Sequence, residues 1–402
     1  MTSRRQVLGL LAAGAGAFAL PGLHGAVFAA APGERRLIVV LLRGALDGLA
    51  AVPPVGDARY RERRGALALK PPGEAGGSLT LDGMFALHPA LAPIHPYWQK
   101  RELLFVHAAG NGYRTRSHFD AQDLMESGLA AKAHISDGWL NRALALMRAG
   151  DRRVGLAVGG AVPLILRGAV PVASWEPAGG LRDASPEFLG ALTQLYARDP
   201  LLGPALADGL KAQNFSQAVL GGDMAPGARG FGPKSFAPLA EAAGRLIAAP
   251  DGPRIAVLEM GGWDTHVNEG AETGRLAQNL EGLAAGLDAL AKAVGPAWDE
   301  TVLVAVTEFG RTVAVNGNNG TDHGTASVLL VMGARVKGGR VAGDWPGLAQ
   351  LEDNRDLRVA TDSRRIMKAI LRDHLGLEPA RLDRTVFPDS AALRPFDGLL
   401  RA

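Results

Sequence analysis

Two kinds of segment alternate along most of this chain. Residues 36–42, 103–107, 255–260, 301–307 and 327–332 are short, almost unbroken apolar runs. Strands that bury both faces inside a parallel sheet have this character, whereas half-exposed strands alternate. Between the runs, apolar residues recur at helical spacing over 136–148, 186–196, 234–248, 274–294 and 362–375. Strand, loop, helix, strand is the order of a doubly wound α/β fold, so the pattern predicts a mostly parallel sheet flanked by helices on both faces. The Pro/Gly-rich stretches at 53–77 and 221–233 read as excursions within one domain rather than linkers, and no repeat of solenoid length is present.

Residues 1–31 do not fit that rhythm. Ser3-Arg4-Arg5-Gln6-Val7-Leu8 opens into a mild Gly/Ala-rich apolar run to Leu20, then Pro21, with small residues at Ala29-Ala30-Ala31. The run is too short and too weakly apolar to span a bilayer, and the paired arginines mark a twin-arginine export signal cut after Ala31. Residues 32–402 are then expected as a single exported domain, periplasmic or secreted. It would have no stable membrane span after cleavage, and the twin-arginine machinery would be a transient partner.

Composition narrows the chemistry. Lys and Arg number 43 against 40 Asp and Glu, a net charge of +3, which gives no basis for nucleic-acid binding; 47% hydrophobic and 21% charged residues exclude a disordered chain. Cysteine is absent. Disulfides, thiolate ligands and cysteine nucleophiles go with it, so any metal must be held by histidine and carboxylate.

Four polar clusters follow apolar runs, where ligands bind in open α/β sheets. Asp47, in Arg43-Gly44-Ala45-Leu46-Asp47-Gly48, suits a metal ligand or a turn and helix cap. Ser117, after Arg114 and Arg116 and before His118, suits a helix N-cap or a nucleophile at a positive dipole end. Asp264 and His266 in Gly262-Trp263-Asp264-Thr265-His266 stand two apart, on one side of an extended segment, and reach one cation or each other. Glu308 and Arg311 end a strand in Glu308-Phe309-Gly310-Arg311-Thr312, and a Gly/Asn loop returns with Asp322-His323. His88, His95, His107 and His134, like Trp139, Trp175 and Trp345, read as packing residues.

These motifs also resemble a known family. Arg116-Ser117-His118-Phe119-Asp120-Ala121-Gln122, Gly262 to His266, Thr307 to Thr312 and Gly320-Thr321-Asp322-His323-Gly324 are similar to the exported bacterial proteins grouped as domain of unknown function 1501. Val336 to Arg340, Gly343 to Leu348 and Thr361 to Arg364 extend the likeness over nearly the whole mature chain. That family is itself similar to the alkaline phosphatase superfamily. The resemblance implies an alkaline-phosphatase-like fold, with Asp47 as the first-strand metal ligand and Ser117 as nucleophile. It further implies that Asp264, His266 and His323 share one metal site. Two departures stand out: Phe309 occupies the place of a second-site histidine, and Asp264 and His266 are unusually close in sequence. His118 could supply the missing ligand, or one ion or none could bind. With no cysteine and no Cys/Ser-x-Pro-x-Arg motif at Ser117, the sulfatase branch is disfavoured.

The expectation is therefore a metal-dependent hydrolase of an anionic ester, phosphate rather than sulfate. Ser117 would attack, with His118, Arg116 and Arg311 assisting. Asp47, Asp264, His266, Glu308, Asp322 and His323 would surround one or two divalent ions, zinc favoured. The competing expectation is a non-catalytic periplasmic binding or assembly protein that keeps the fold.

Overall fold

The sheet is organised around strand β1 (Arg36–Arg43), whose side chains divide between two cores. Leu37, Val39 and Leu41 enter one core, and Ile38, Val40 and Leu42 enter the other. This two-sided burial is what its unbroken apolar sequence requires, each such side chain contributing roughly 1.5–3 kcal/mol. The structure is a computed structural model that describes residues 35–131, 136–147, 155–177, 184–221 and 232–401. The export signal expected at 1–31, His134 and most of the 221–233 excursion lie outside the described residues.

The remaining strands of the main sheet are β2 (Leu103–Gly110), β3 (Gly155–Val158), β4 (Ala173–Trp175), β5 (Ile255–Gly261), β6 (Thr301–Thr307), β7 (Ser327–Met332), β8 (Arg340–Ala342) and β9 (Thr361–Asp362). Their order is β8-β2-β7-β6-β1-β5-β3-β4, with β9 also paired to β2. The principal helices are α1 (His118–Ser127), α2 (Trp139–Leu146), α3 (Pro186–Tyr196), α4 (Leu202–Leu220), α5 (Pro233–Ala248), α6 (Arg275–Val294) and α7 (Ser363–Ala369); α2, α3, α5 and α6 follow the expected spans closely, whereas the 19-residue α4 is not among them. Helices α5 and α6 cover the Ile38 face, while α2 and α7 cover the Leu37 face. None of the described helices is long and apolar enough to cross a membrane.

Two features depart from the periodicity. The 362–375 segment begins as α7, with the Asp362 carboxylate capping Arg364 N, but continues over Ile370–His374 as a wider π turn. Strands β3, β4, β8 and β9 are two to four residues long, too short for a periodic signature, and exist because longer strands beside them offer open edges.

Strand β7 decides where the site forms. It runs antiparallel to both β2 and β6, in a sheet whose other pairs are parallel. A parallel neighbour would need a crossover carrying the chain to the opposite edge. Instead the loop 308–326 leaves and re-enters at one edge. Because Arg43 pairs with Gly261 and Leu42 with Thr307, the loops after β1, β5 and β6 open there too, as does the loop after β2. The return is tight: a Cβ on Gly310 would lie 1.8 Å from the Ala326 carbonyl oxygen. Gly310→Ala is expected to lower stability by about 1–3 kcal/mol, read as a fall in the urea unfolding midpoint.

Candidate metal centre

Three imidazoles reach the shared edge from three different loops. His118 is the first residue of α1, His266 sits on the loop after β5, and His323 sits on the returning loop before β7. His323 Nε2 lies 3.0 Å from His118 Nε2 and 2.9 Å from His266 Nε2. Asp264 Oδ1 lies 3.0, 3.2 and 3.6 Å from the Nε2 atoms of His266, His323 and His118.

The outer nitrogens fix the tautomers. His118 Nδ1 is 2.8 Å from Glu308 Oε1, His323 Nδ1 is 2.8 Å from the Arg116 carbonyl oxygen, and His266 Nδ1 is 3.0 Å from Asp322 Oδ1. All three partners accept hydrogen bonds, so each ring donates its Nδ1 proton outward and turns Nε2 toward Asp264 and the other rings. A divalent cation at that point would take the Nε2 lone pairs and the carboxylate oxygen together. Zinc takes imidazole nitrogen and carboxylate oxygen at about 2.0–2.2 Å in tetrahedral geometry, which separates neighbouring ligand atoms by roughly 3.3 Å. His118, Asp264 and His323 each offer a ligand atom within 4.8 Å of the others, with His266 Nε2 beside the last two, and this nitrogen and carboxylate set fits a borderline divalent ion.

The supporting layer explains each position. Glu308 is buried, and its Oε1 accepts from Gly44 N and Gln122 Nε2, both at 2.9 Å, as well as from His118. Burial pushes its pKa up, but the hydrogen bonds from His118 and Gln122 prevail and hold it below the ordinary value. The same contact raises His118, against the opposing effect of its own partial burial. His323 moves the other way, lowered by burial despite its bond to the Arg116 carbonyl. Burial also opposes ionisation of Asp264, but Arg311 Nη1 donates to Asp264 Oδ1 at 2.5 Å and keeps its pKa low. Phe309 is buried beneath the rings, stacked on His118 at 4.9 Å and tilted against His323 at 5.2 Å. The loop after β5 is pinned by Trp263 Nε1 on the Met260 carbonyl and by Asn279 Nδ2 on the Gly262 carbonyl.

Several expected roles change. Asp47 is withdrawn from the centre: Oδ1 caps Leu49 N and Ala50 N, and Oδ2 is ion-paired at 2.6 Å with the fully buried Arg64. Burial would raise the Asp47 pKa, but Arg64 lowers it on balance. The neighbouring Glu269 is instead pushed up to about 8 by burial and by the Asp47 charge. Glu308 and Asp322 are not placed as ligands either, because each spends an oxygen on an imidazole Nδ1–H. The Arg311 guanidinium is buried and committed to Asp264, to Thr321 Oγ1 and to the Thr321 carbonyl, so it cannot clamp a substrate. Arg116 pairs with Asp353 and Asp356. Its contribution to the centre is its carbonyl, presented from a strained backbone at φ 58°.

Ser117 occupies the N-cap position of α1, but its hydroxyl makes no capping bond. It stands between Arg116, whose carbonyl orients His323, and His118, whose Nε2 faces His323. His88, His95 and His107 each place Nε2 on a backbone carbonyl, those of Ala271, Thr80 and Val52, consistent with packing. Sequence reasoning gave no role to Gln122, Thr321 or the Arg116 carbonyl. Gln122 had a signal, since it lies four residues after His118 on the same helix face; the other two had none.

Asp47→Ala separates structure from metal holding. It removes a helix cap and the direct partner of Arg64, leaving Glu269 to face that guanidinium, and should cost about 1–3 kcal/mol by urea denaturation, while the divalent metal content of the folded chain stays at the wild-type level.

Searching curated proteins by sequence finds no match. Among solved structures, the chain is similar to the C-terminal periplasmic domain of EptC from Escherichia coli in complex with Zn, with 10% identity, TM-score 0.38, and coverage of 93% of this chain and 91% of that one. It is also similar to the phosphonate monoester hydrolase of Agrobacterium radiobacter, with 13% identity, TM-score 0.36, and coverage of 86% and 74%. Alkaline phosphatase from the Antarctic bacterium TAB5 gives 11% identity, TM-score 0.34, and coverage of 76% and 92%. At such TM-scores these neighbours lend no weight to a function, which rests on the side chains themselves. Residues 113–384 match the family model described as "Protein of unknown function (DUF1501)", and they contain His118, Asp264, His266 and His323; the chain belongs to that family.

Proposed function

We propose that this protein is an exported, metal-dependent hydrolase of a phosphate ester, with zinc as the favoured ion. The observation that carries the reading is the convergence of three Nε2 atoms on Asp264 Oδ1, each ring held by an acceptor at Nδ1. When bound, a divalent ion supplies a Lewis acid for the oxygens of an anionic ester. His118, Asp264 and His323 would hold it, with His266 Nε2 beside them. Glu308, Asp322 and the Arg116 carbonyl keep the rings oriented, and Arg311 keeps Asp264 ionised. Ser117 is the nucleophile of this reading, because its hydroxyl is not spent on capping and lies at the positive end of α1. Export by the twin-arginine route fits a centre that is loaded before the chain crosses the membrane.

A second reading is a metal-holding binding protein without turnover. It is favoured by the commitment of Arg116 and Arg311 to carboxylates, which leaves neither guanidinium for an anionic substrate. Metal analysis of the purified protein, joined to a panel of phosphomonoesters, phosphodiesters and sulfate esters, separates the two.

Two outcomes are expected. Ser117→Ala should retain metal but lose turnover by on the order of 10³-fold, whereas His323→Ala should lose both; full turnover in Ser117→Ala would remove the nucleophile assignment. Metal affinity should also fall with falling pH, because a protonated imidazole cannot ligate. His118 titrates above the ordinary value of about 6.5, since Glu308 favours its charged form. Loss of metal in a chelator competition should therefore begin above that pH and steepen below it.

A further inference from the structure

His323 differs from the other two rings in what holds it. The Nδ1–H groups of His118 and His266 meet carboxylates, whereas His323 Nδ1 meets the Arg116 carbonyl oxygen at 2.8 Å. A main-chain carbonyl orients a ring only as firmly as its own loop is held. Arg116 sits at φ 58°, a conformation that residues other than glycine seldom adopt. The acceptor therefore needs an anchor.

That anchor is Asp356, a carboxylate outside every motif of the sequence reading. It is fully buried, and guanidinium groups take both of its oxygens. Arg116 Nε and Nη2 lie 2.8 and 2.6 Å from Oδ2, and Arg355 Nε lies 2.9 Å from Oδ1. Arg355 Nη2 in turn donates to the His323 carbonyl. The contacts close a ring: Asp356 to Arg116, the Arg116 carbonyl to the His323 imidazole, the His323 carbonyl to Arg355, and Arg355 back to Asp356. His323 is thus held at its side chain and at its main chain by two arginines that share one carboxylate. Local structure brings these partners together. Glu352 and Asp356 exchange main-chain hydrogen bonds at 2.8 and 2.9 Å across a tight turn, with Asp353 and Asn354 at φ 51° and 53°; Asp and Asn tolerate that region. Isolated β-bridges pair Asp356 with Thr312 and His323 with Arg311, so the turn lies alongside the loop that returns His323.

We propose that Asp356 is a positioning residue for the metal centre: through Arg116 and Arg355 it sets the place and tilt of the His323 ring. This rests on the metal-holding reading and deepens it. The neighbouring Asp353 marks the contrast. It lies 2.7 Å from Arg116 Nη2, but it is 66% exposed and stands outside the ring, where an ion pair contributes little. Losing Asp353 leaves the ring closed, whereas losing Asp356 opens it at both arginines. Partners that orient metal ligands typically cost about 10–100-fold in metal affinity when removed.

The test measures zinc and cobalt(II) affinity of the mature protein by competition with a chromophoric chelator, together with the visible spectrum of the cobalt form, which reports ligand geometry. Asp356→Asn keeps the shape and removes the charge; it is expected to weaken metal binding by about 10–100-fold and to alter the cobalt spectrum. Arg355→Ala opens the same ring from a side chain that is 44% exposed, so it tests the ring without disturbing the interior, and it should act in the same direction. Combined with Asp356→Asn it should add less than its separate effect, because both changes break one ring. Asp353→Asn should match the wild type in both readouts. A role confined to stability would lower the urea midpoint of Asp356→Asn and leave affinity and spectrum per folded chain unchanged. That result would overturn the proposal, as would wild-type binding by Arg355→Ala or an equal loss in Asp353→Asn, and each would leave the metal centre standing. A wild type that binds neither ion would remove the centre itself and the positioning role with it.

Discussion

Three Nδ1–H bonds hold the candidate centre together. Glu308, Asp322 and the Arg116 carbonyl each accept one, and through them the rest of the local structure is transmitted to the ligand atoms. A neutral imidazole has one proton and one lone pair; fixing the proton outside fixes the lone pair inside. Three rings so oriented turn their Nε2 atoms toward the ionised Asp264, the arrangement that a divalent cation would need.

Behind that layer, charge is matched in two stages. Arg311 is buried and offsets Asp264, and Thr321, whose hydroxyl bonds Glu269 and accepts from Arg311, ties this pair to the interior. Further in, Arg64 faces both Asp47 and Glu269. One guanidinium cannot keep two buried carboxylates ionised, and Glu269 is the one whose pKa rises, to about 8. The interior therefore balances one positive against one negative charge near neutral pH. This separation is why Asp47, although it follows the first strand, serves the framework.

Much of this was legible in the sequence. The long strands announced themselves because burial on both faces leaves nothing to alternate, and α3, α5 and α6 because their apolar positions recur at helical spacing. The clusters at Ser117-His118, Asp264-Thr265-His266 and Asp322-His323 were visible as polar, Gly-flanked groups after apolar runs. Their division of labour was not visible. Aspartate as ligand, cap or ring-orienting acceptor has the same letter in the same kind of loop; only the partner of each oxygen distinguishes Asp264, Asp47 and Asp322. Arg116 illustrates the limit further, since its contribution to the centre comes from a carbonyl that every residue possesses.

The sequence by itself determined the layered α/β architecture, the absence of any thiol ligand and the set of histidines and carboxylates from which a metal site had to be drawn. Hydrophobic periodicity and residue chemistry are local properties, and they survive in a one-dimensional record. The tertiary structure alone decided that β7 runs antiparallel and so returns His323 to the edge where His118 and His266 already stand. It also decided which carboxylate meets the rings at Nε2 and which at Nδ1. Those outcomes depend on contacts between residues 56 to 207 positions apart, and no local pattern encodes the direction in which a side chain so distant will finally point.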